Sequence, residues 1–91
     1  MYVAILRIEL RVGDGTRAKQ RTVRSIVDKL HRHFNVSVAE VDRSNHSSES
    51  VLGFVGVAGS RREVRETLDR VADAVAVHPR IEVLSIEQDE A

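Results

Sequence analysis

The sequence predicts an α+β fold in which two amphipathic helices cover one face of a four-stranded antiparallel sheet. Three observations predict it. Two stretches place apolar residues at helical spacing, and four are alternating or rich in β-branched residues. They follow one another as strand, helix, strand, strand, helix, strand.

The first strand is Tyr2 to Val12. Leu6, Ile8 and Leu10 point one way and Arg7, Glu9 and Arg11 the other, the period-two pattern of a half-buried strand. Gly13-Asp14-Gly15 breaks it in a tight connection, and Thr16 supplies a helix cap. From there to about Phe34 the spacing predicts a helix. Val23, Ile26, Val27, Leu30 and Phe34 fall at i, i+3, i+4, i+7 and i+11, a single apolar stripe. Asn35 is a natural stop because it tolerates the left-handed conformation.

Val36 to Asp42 is β-branched and predicts a second strand. Arg43 to Ser50 is polar and turn-forming, and Val51 to Ala58 predicts a third strand. Ser60-Arg61-Arg62-Glu63 has the form of a capping box, in which the Ser60 hydroxyl accepts from the Glu63 amide. The helix it opens buries Val64, Leu68, Val71, Ala72 and Val75, and Pro79 ends it. Arg80 to Glu87 predicts a fourth strand, followed by a polar, frayed tail over 88–91.

This order is the split βαβ, or ferredoxin-like, pattern, with strand order 4-1-3-2 and both helices on one face. Residues 1–91 make one domain, since a chain this short has no room for two cores. The opposite sheet face is open and carries Val3 and Ile5, apolar surface that predicts a partner, most simply a second copy of the chain.

Composition narrows the function classes. With 42% hydrophobic and 31% charged residues the chain is globular. It has no cysteine, which excludes disulfides and thiolate metal sites and fits a reducing compartment. No basic n-region or cleavage site precedes the first strand, so no signal peptide is expected, and no apolar run approaches a membrane span. Net charge is zero, but unevenly spread. Residues 1–35 hold eight basic and three acidic side chains, a balance of +5, and residues 36–91 hold six and eleven, a balance of −5. Such asymmetry guides an acidic partner to one end or pairs two copies head to tail.

The runs Val23-Arg24-Ser25-Ile26-Val27-Asp28-Lys29-Leu30 and Phe34-Asn35-Val36-Ser37-Val38-Ala39-Glu40-Val41, with the opening Met1-Tyr2-Val3 and the closing Ile81-Glu82-Val83-Leu84, resemble the YlxP-like family of small bacterial proteins. The resemblance covers nearly the whole chain. It implies a ferredoxin-like fold, a cytoplasmic protein, and a link to RNA or ribosome assembly, because genes of the family often neighbour those for transcription and translation factors, ribosome-binding factor A among them. The family is one of unknown function, and the resemblance brings no catalytic residue. The chain departs from the family pattern at Gly15 to Lys19, which lacks the usual Leu and acid. It departs again at Arg43 to Ser50, which lacks the usual apolar or aromatic residue, so no binding role carries over to that loop.

Arg17, Arg21, Arg24 and Arg32 share an arc of the first helix opposite its apolar stripe, interrupted only by Asp28. Guanidinium forks match phosphate oxygens, so this arc is the candidate RNA-binding face. The plainer reading is a solvated helix face laced by Arg24–Asp28–Arg32 pairs. Lys19, on the flank of the stripe, is expected to snorkel over the core edge.

Other constellations are weaker. Gly13 to Ala18 fits G-x-G-x-x-A, with Glu40 and Asp42 at dinucleotide spacing, but the first strand alternates and a second nucleotide-binding half is missing. His31 and His33 do not share a helix face, and no ligand cluster gathers around His46 or His78, so neither metal nor cofactor is expected. His33 instead complements the helix dipole. Ser, His and acid coexist around His46 without a nucleophile elbow. Phe54, in Gly53-Phe54-Val55-Gly56-Val57, echoes an RNA-stacking strand but lacks a paired aromatic and is assigned to the core. The expectation is a non-enzymatic accessory module, homodimeric and associated with RNA or the ribosome, with a homo-oligomeric ligand-binding or regulatory domain as the alternative.

Overall fold

The computed structural model describes residues 1–13, 16–43 and 48–91, with the side chains of residues 16–18 and 43 outside the description. The elements are β1 (Tyr2–Val12), α1 (Thr16–His33), β2 (Val36–Arg43), β3 (Glu49–Ala58), α2 (Arg61–Ala76) and β4 (Ile81–Glu90). They form one four-stranded antiparallel sheet, ordered β2-β3-β1-β4 and covered on one face by the two helices. This is the ferredoxin-like α+β fold the sequence predicts.

β1 sits at the centre because its inward residues need cover and both of its edges need hydrogen-bonding partners. Ala4, Leu6, Ile8, Leu10 and Val12 are fully buried beneath the helices. On β3, Leu52 and Phe54 face the same way, opposite Ile8 and Leu6. Val23, Ile26 and Leu30 of α1 close the core from one side, with Val27 and Phe34 partly buried beside them, and Val64, Leu68, Val71 and Val75 of α2 close it from the other. At about 1.5–3 kcal/mol for each buried aliphatic side chain, this layer supplies most of the driving force for folding.

Connections are tight where they are described. After α1, the Phe34 amide still donates to the Leu30 carbonyl, and the Val36 amide donates to Phe34 at 2.9 Å, so the chain reverses at Asn35. Ser60 caps α2, its hydroxyl accepting from the Glu63 amide at 3.2 Å. Past Pro79, the His78 imidazole Nδ1 accepts from the Arg80 amide and Ile81 donates to the His78 carbonyl, which starts β4. The expected Asp14-Gly15 turn, the Thr16 cap and the grouping around His46 lie outside the described residues.

The strands run further than their sequences suggest. β3 begins at Glu49 rather than Val51, because β1 is long enough to pair there: Arg11 stands opposite Glu49 and bonds it at 3.0 Å. The tail over 88–91 is not frayed. β4 continues to Glu90 opposite Ala4, and the Ala91 amide donates to Val3 at 3.0 Å. Glu90 is also held by Arg61 and Arg65 of α2, at 3.0 and 3.4 Å.

Both edge strands carry a β-bulge, and the two lie at the same level. One extra residue, Val41, sits between Glu40 and Asp42 on β2, and another, Leu84, sits opposite the Glu9/Leu10 step on β4. The β4 bulge explains why apolar residues occupy both parities of that strand: Ile81, Val83 and, past the bulge, Ile86 pair with inward residues of β1. Val41 leans over Gly53, where an added Cβ would meet its Cγ1 at 2.9 Å. On the other face, Gly56 lets Val64 of α2 approach, at 3.3 Å from the same imagined atom.

Gly53→Ala therefore requires the exposed Val41 side chain to shift and is expected to destabilise the protein by up to about 1 kcal/mol, and Val41→Ala in the same chain to restore most of the loss. A denaturant double-mutant cycle checks this. Additive effects of the two substitutions would show that the Val41–Gly53 contact is not the constraint.

Candidate nucleic-acid interface

α1 lies along the β2 side of the molecule, with its apolar stripe on the sheet and its outer surface in solvent. Arg21, Arg24 and Arg32 are exposed, within an arc of about 80° at 100° per residue. Arg17 belongs to the same helix, but its side chain lies outside the described residues. The Arg24–Asp28–Arg32 ion pairs that the spacing allows are not formed. Arg32 Nε donates instead to the Asp28 backbone carbonyl at 3.3 Å, and among the described residues Arg21 and Arg24 make no ion pair.

The arginines of α2 behave differently. Arg61 and Arg65 both reach Glu90, and Arg62 pairs with Glu66 at 3.0 Å. α2 balances four arginines with four acids, whereas the exposed charges of α1 from Arg21 onward are Arg21, Arg24, Lys29 and Arg32 against Asp28 alone, a balance of +3. His31 and His33 add basic groups in the last turn, where the helix dipole favours them. His31 Nδ1 lies 3.3 Å from the Val36 carbonyl, which ties it to the start of β2.

Lys19 departs from expectation. It is 3% exposed, and its ammonium donates to the Glu49 carbonyl at 3.3 Å, so it is enclosed rather than snorkelling to water. A part-buried hydrogen bond joins the same end of the sheet, from the Ser50 hydroxyl to the Glu40 carboxylate. The Lys19–Glu49 contact spans 30 positions of chain, and no local pattern signals it.

The open sheet face has the opposite charge. Register places Glu9, Asp42, Glu49, Glu82, Glu87 and Asp89 there with only Arg7 and Arg11, a balance of −4. Both arginines are already matched: Arg7 bonds Glu9 at 2.7 Å, and Arg11 reaches Glu49 and Glu82. The Glu9 hydrogen bond, with the charges of Glu9, Glu87 and Asp42, raises the Arg7 pKa above its ordinary value. Phe54 is fully buried beneath the helices, so it offers no stacking platform on this face. Tyr2 is half-exposed at the end of β1, where the Arg61 guanidinium covers its ring at 5.7 Å.

A family model described as a protein of unknown function, DUF503, matches residues 3–88, nearly the full length of the fold just described. The chain belongs to the DUF503 family. No curated protein matches it. In this DUF503 chain, no helix among the described residues is long and apolar enough to cross a membrane, and no group of three or more His, Cys, Asp or Glu among them is arranged to hold a metal ion.

Lys19→Met keeps the apolar stem but removes the buried donor. It is expected to cost about 1–3 kcal/mol of stability, the usual contribution of a hydrogen bond from a charged group. A urea midpoint shift equivalent to less than about 0.5 kcal/mol would show that the ammonium holds nothing in place.

Proposed function

We propose that this chain is a non-enzymatic accessory module of the cytoplasm that contacts RNA or the ribosome through the outer face of α1. Its residue runs resemble those of the YlxP-like proteins, and that resemblance supports the reading. The observation that carries the reading is the unmatched charge on α1. Arg21 and Arg24 are exposed and without acidic partners, while three of the four α2 arginines are engaged with Glu90 or Glu66. Unpaired guanidinium groups in one arc bind phosphate without first breaking an ion pair. The open sheet face is acidic and lacks an exposed aromatic among its described residues, so a phosphate backbone is repelled there and drawn to the helix side.

A second reading is a homo-oligomeric ligand-binding or regulatory domain, a homodimer in its simplest form. Its support is the aliphatic surface on the open face: Ile5, Val55 and Val57 are between 41% and 45% exposed. It stands second because joining two such faces sets a charge of −4 against −4.

A salt titration of single-stranded RNA binding separates the readings. Each phosphate contact contributes about −0.7 to the slope of log K against log salt, so the four arginines Arg17, Arg21, Arg24 and Arg32 predict a slope of about −3. Arg21→Ala with Arg24→Ala is expected to reduce its magnitude by about 1.4, with little change in stability. Equal slopes for wild type and variant would remove α1 from the interface. Absence of binding at low salt, with a dimer mass by light scattering, would favour the regulatory domain.

A further inference from the structure

The open sheet face combines three features that point to one kind of occupant. Two aliphatic cross-strand pairs, Val3–Val57 and Ile5–Val55, lie side by side on the central strands. The two bulges flank them toward one end, where Val41 is 59% and Leu84 38% exposed. Between the bulges is a recess of about 250 Å³, walled by Asp42 and Leu84 and floored by Arg7, Glu9 and Val51. Outside the aliphatic pairs stand Asp42 on β2 and Glu87 and Asp89 on β4, none of which forms an ion pair among the described residues.

We propose that this face docks a basic helical segment of another protein, one with aliphatic anchors along one side and Lys or Arg on its flanks. The anchors cover Ile5 and Val55, and the cations reach Asp42 on one edge strand and Glu87 and Asp89 on the other. The width fits. Three strand spacings of about 4.8 Å put β2 and β4 roughly 14 Å apart, against a helix diameter of about 10–12 Å with side chains. Apolar anchors over the centre and matched charges at the rim are the anatomy of helix-in-groove recognition. The other occupants fit less well: a second copy joined face to face brings a like charge, one that brings its basic α1 has no exposed aliphatic anchor among the described residues, and a nucleic acid brings phosphates to unpaired carboxylates. The proposal is independent of the RNA reading, which uses the opposite side of the molecule.

The test uses the full chain, labelled with ¹⁵N, and two synthetic amphipathic peptides that share Leu at i, i+3, i+4 and i+7. One carries Lys on its flanks and the other Glu. The Lys peptide is expected to shift amides of residues 3–7 and 53–57 and to leave those of α1 in place. The triple variant Asp42→Asn, Glu87→Gln, Asp89→Asn and the double variant Ile5→Ser, Val55→Ser should each weaken it about tenfold or more, roughly the loss of two or three rim ion pairs or of the central anchors. A control triple on α2, Glu66→Gln, Asp69→Asn, Asp73→Asn, should leave binding unchanged, as should Arg21→Ala with Arg24→Ala. Equal binding of the two peptides, equal losses from the two acidic triples, or shifts confined to the helices would overturn the proposal. So would a dimer that the Ile5→Ser, Val55→Ser variant dissociates, because a second copy would then own the face.

Discussion

The alternation along β1 is the constraint on which the rest of the molecule depends. Ala4, Leu6, Ile8, Leu10 and Val12 are removed from solvent by the helices, while Val3, Ile5, Arg7, Glu9 and Arg11 face the other way. A slip of one residue would put Arg7 and Glu9 beneath the helices and Leu6 and Ile8 in water, so the register is strongly specified. Because β1 pairs along nearly its full length with both β3 and β4, its ends also set where those strands begin and stop. Polar residues such as Glu49, Gln88 and Glu90 become strand residues through β1's hydrogen-bonding groups rather than their own preferences.

The paired bulges reconcile this register with the edge strands. On β4 the extra Leu84 allows Ile81, Val83 and Ile86 all to share the face of the core, and Leu84 is directed to the open face. On β2 the extra Val41 does the same for Val36 and Val38 on one side and Asp42 on the other. Both edges are thereby interrupted at one level, which also blunts them as templates for further strand addition. Gly53 is the residue that accommodates Val41, and the recess forms where the two bulges face each other.

Much of this was legible in the sequence. The stripe from Val23 to Phe34, the capping box at Ser60 and the two-sided pattern of Tyr2 to Val12 are local periodicities, and local periodicity survives folding unchanged. What was not legible depends on distant partners. The ends of β3 and β4 follow from the length of β1. Lys19 reads as a flanking surface cation, but it lies on the helix face of Val23, Ile26 and Leu30 and is enclosed there, its ammonium donating to the Glu49 carbonyl 30 positions away. The candidate arc of Arg21, Arg24 and Arg32 was legible as an arc, but its spacing with Asp28 suggested ion pairs that the side chains do not make. The acidity of the open face was visible only as an excess toward the C-terminal end of the chain, because register is needed to bring Glu9, Asp42 and Glu87 onto one surface.

Folding thus converts a charge gradient along the chain into two oppositely charged faces, a basic α1 and an acidic sheet. On the proposed function these faces meet different partners, with phosphate confined to the helix side. The most direct measurement is an NMR titration of the labelled chain with a short single-stranded RNA at low salt, following the Nε–H signals of Arg21 and Arg24 and the methyl signals of Ile5 and Val55 together. The guanidinium signals are expected to move and the methyl signals to stay. Movement of the Ile5 and Val55 methyls with Arg21 and Arg24 unperturbed would contradict the proposed function.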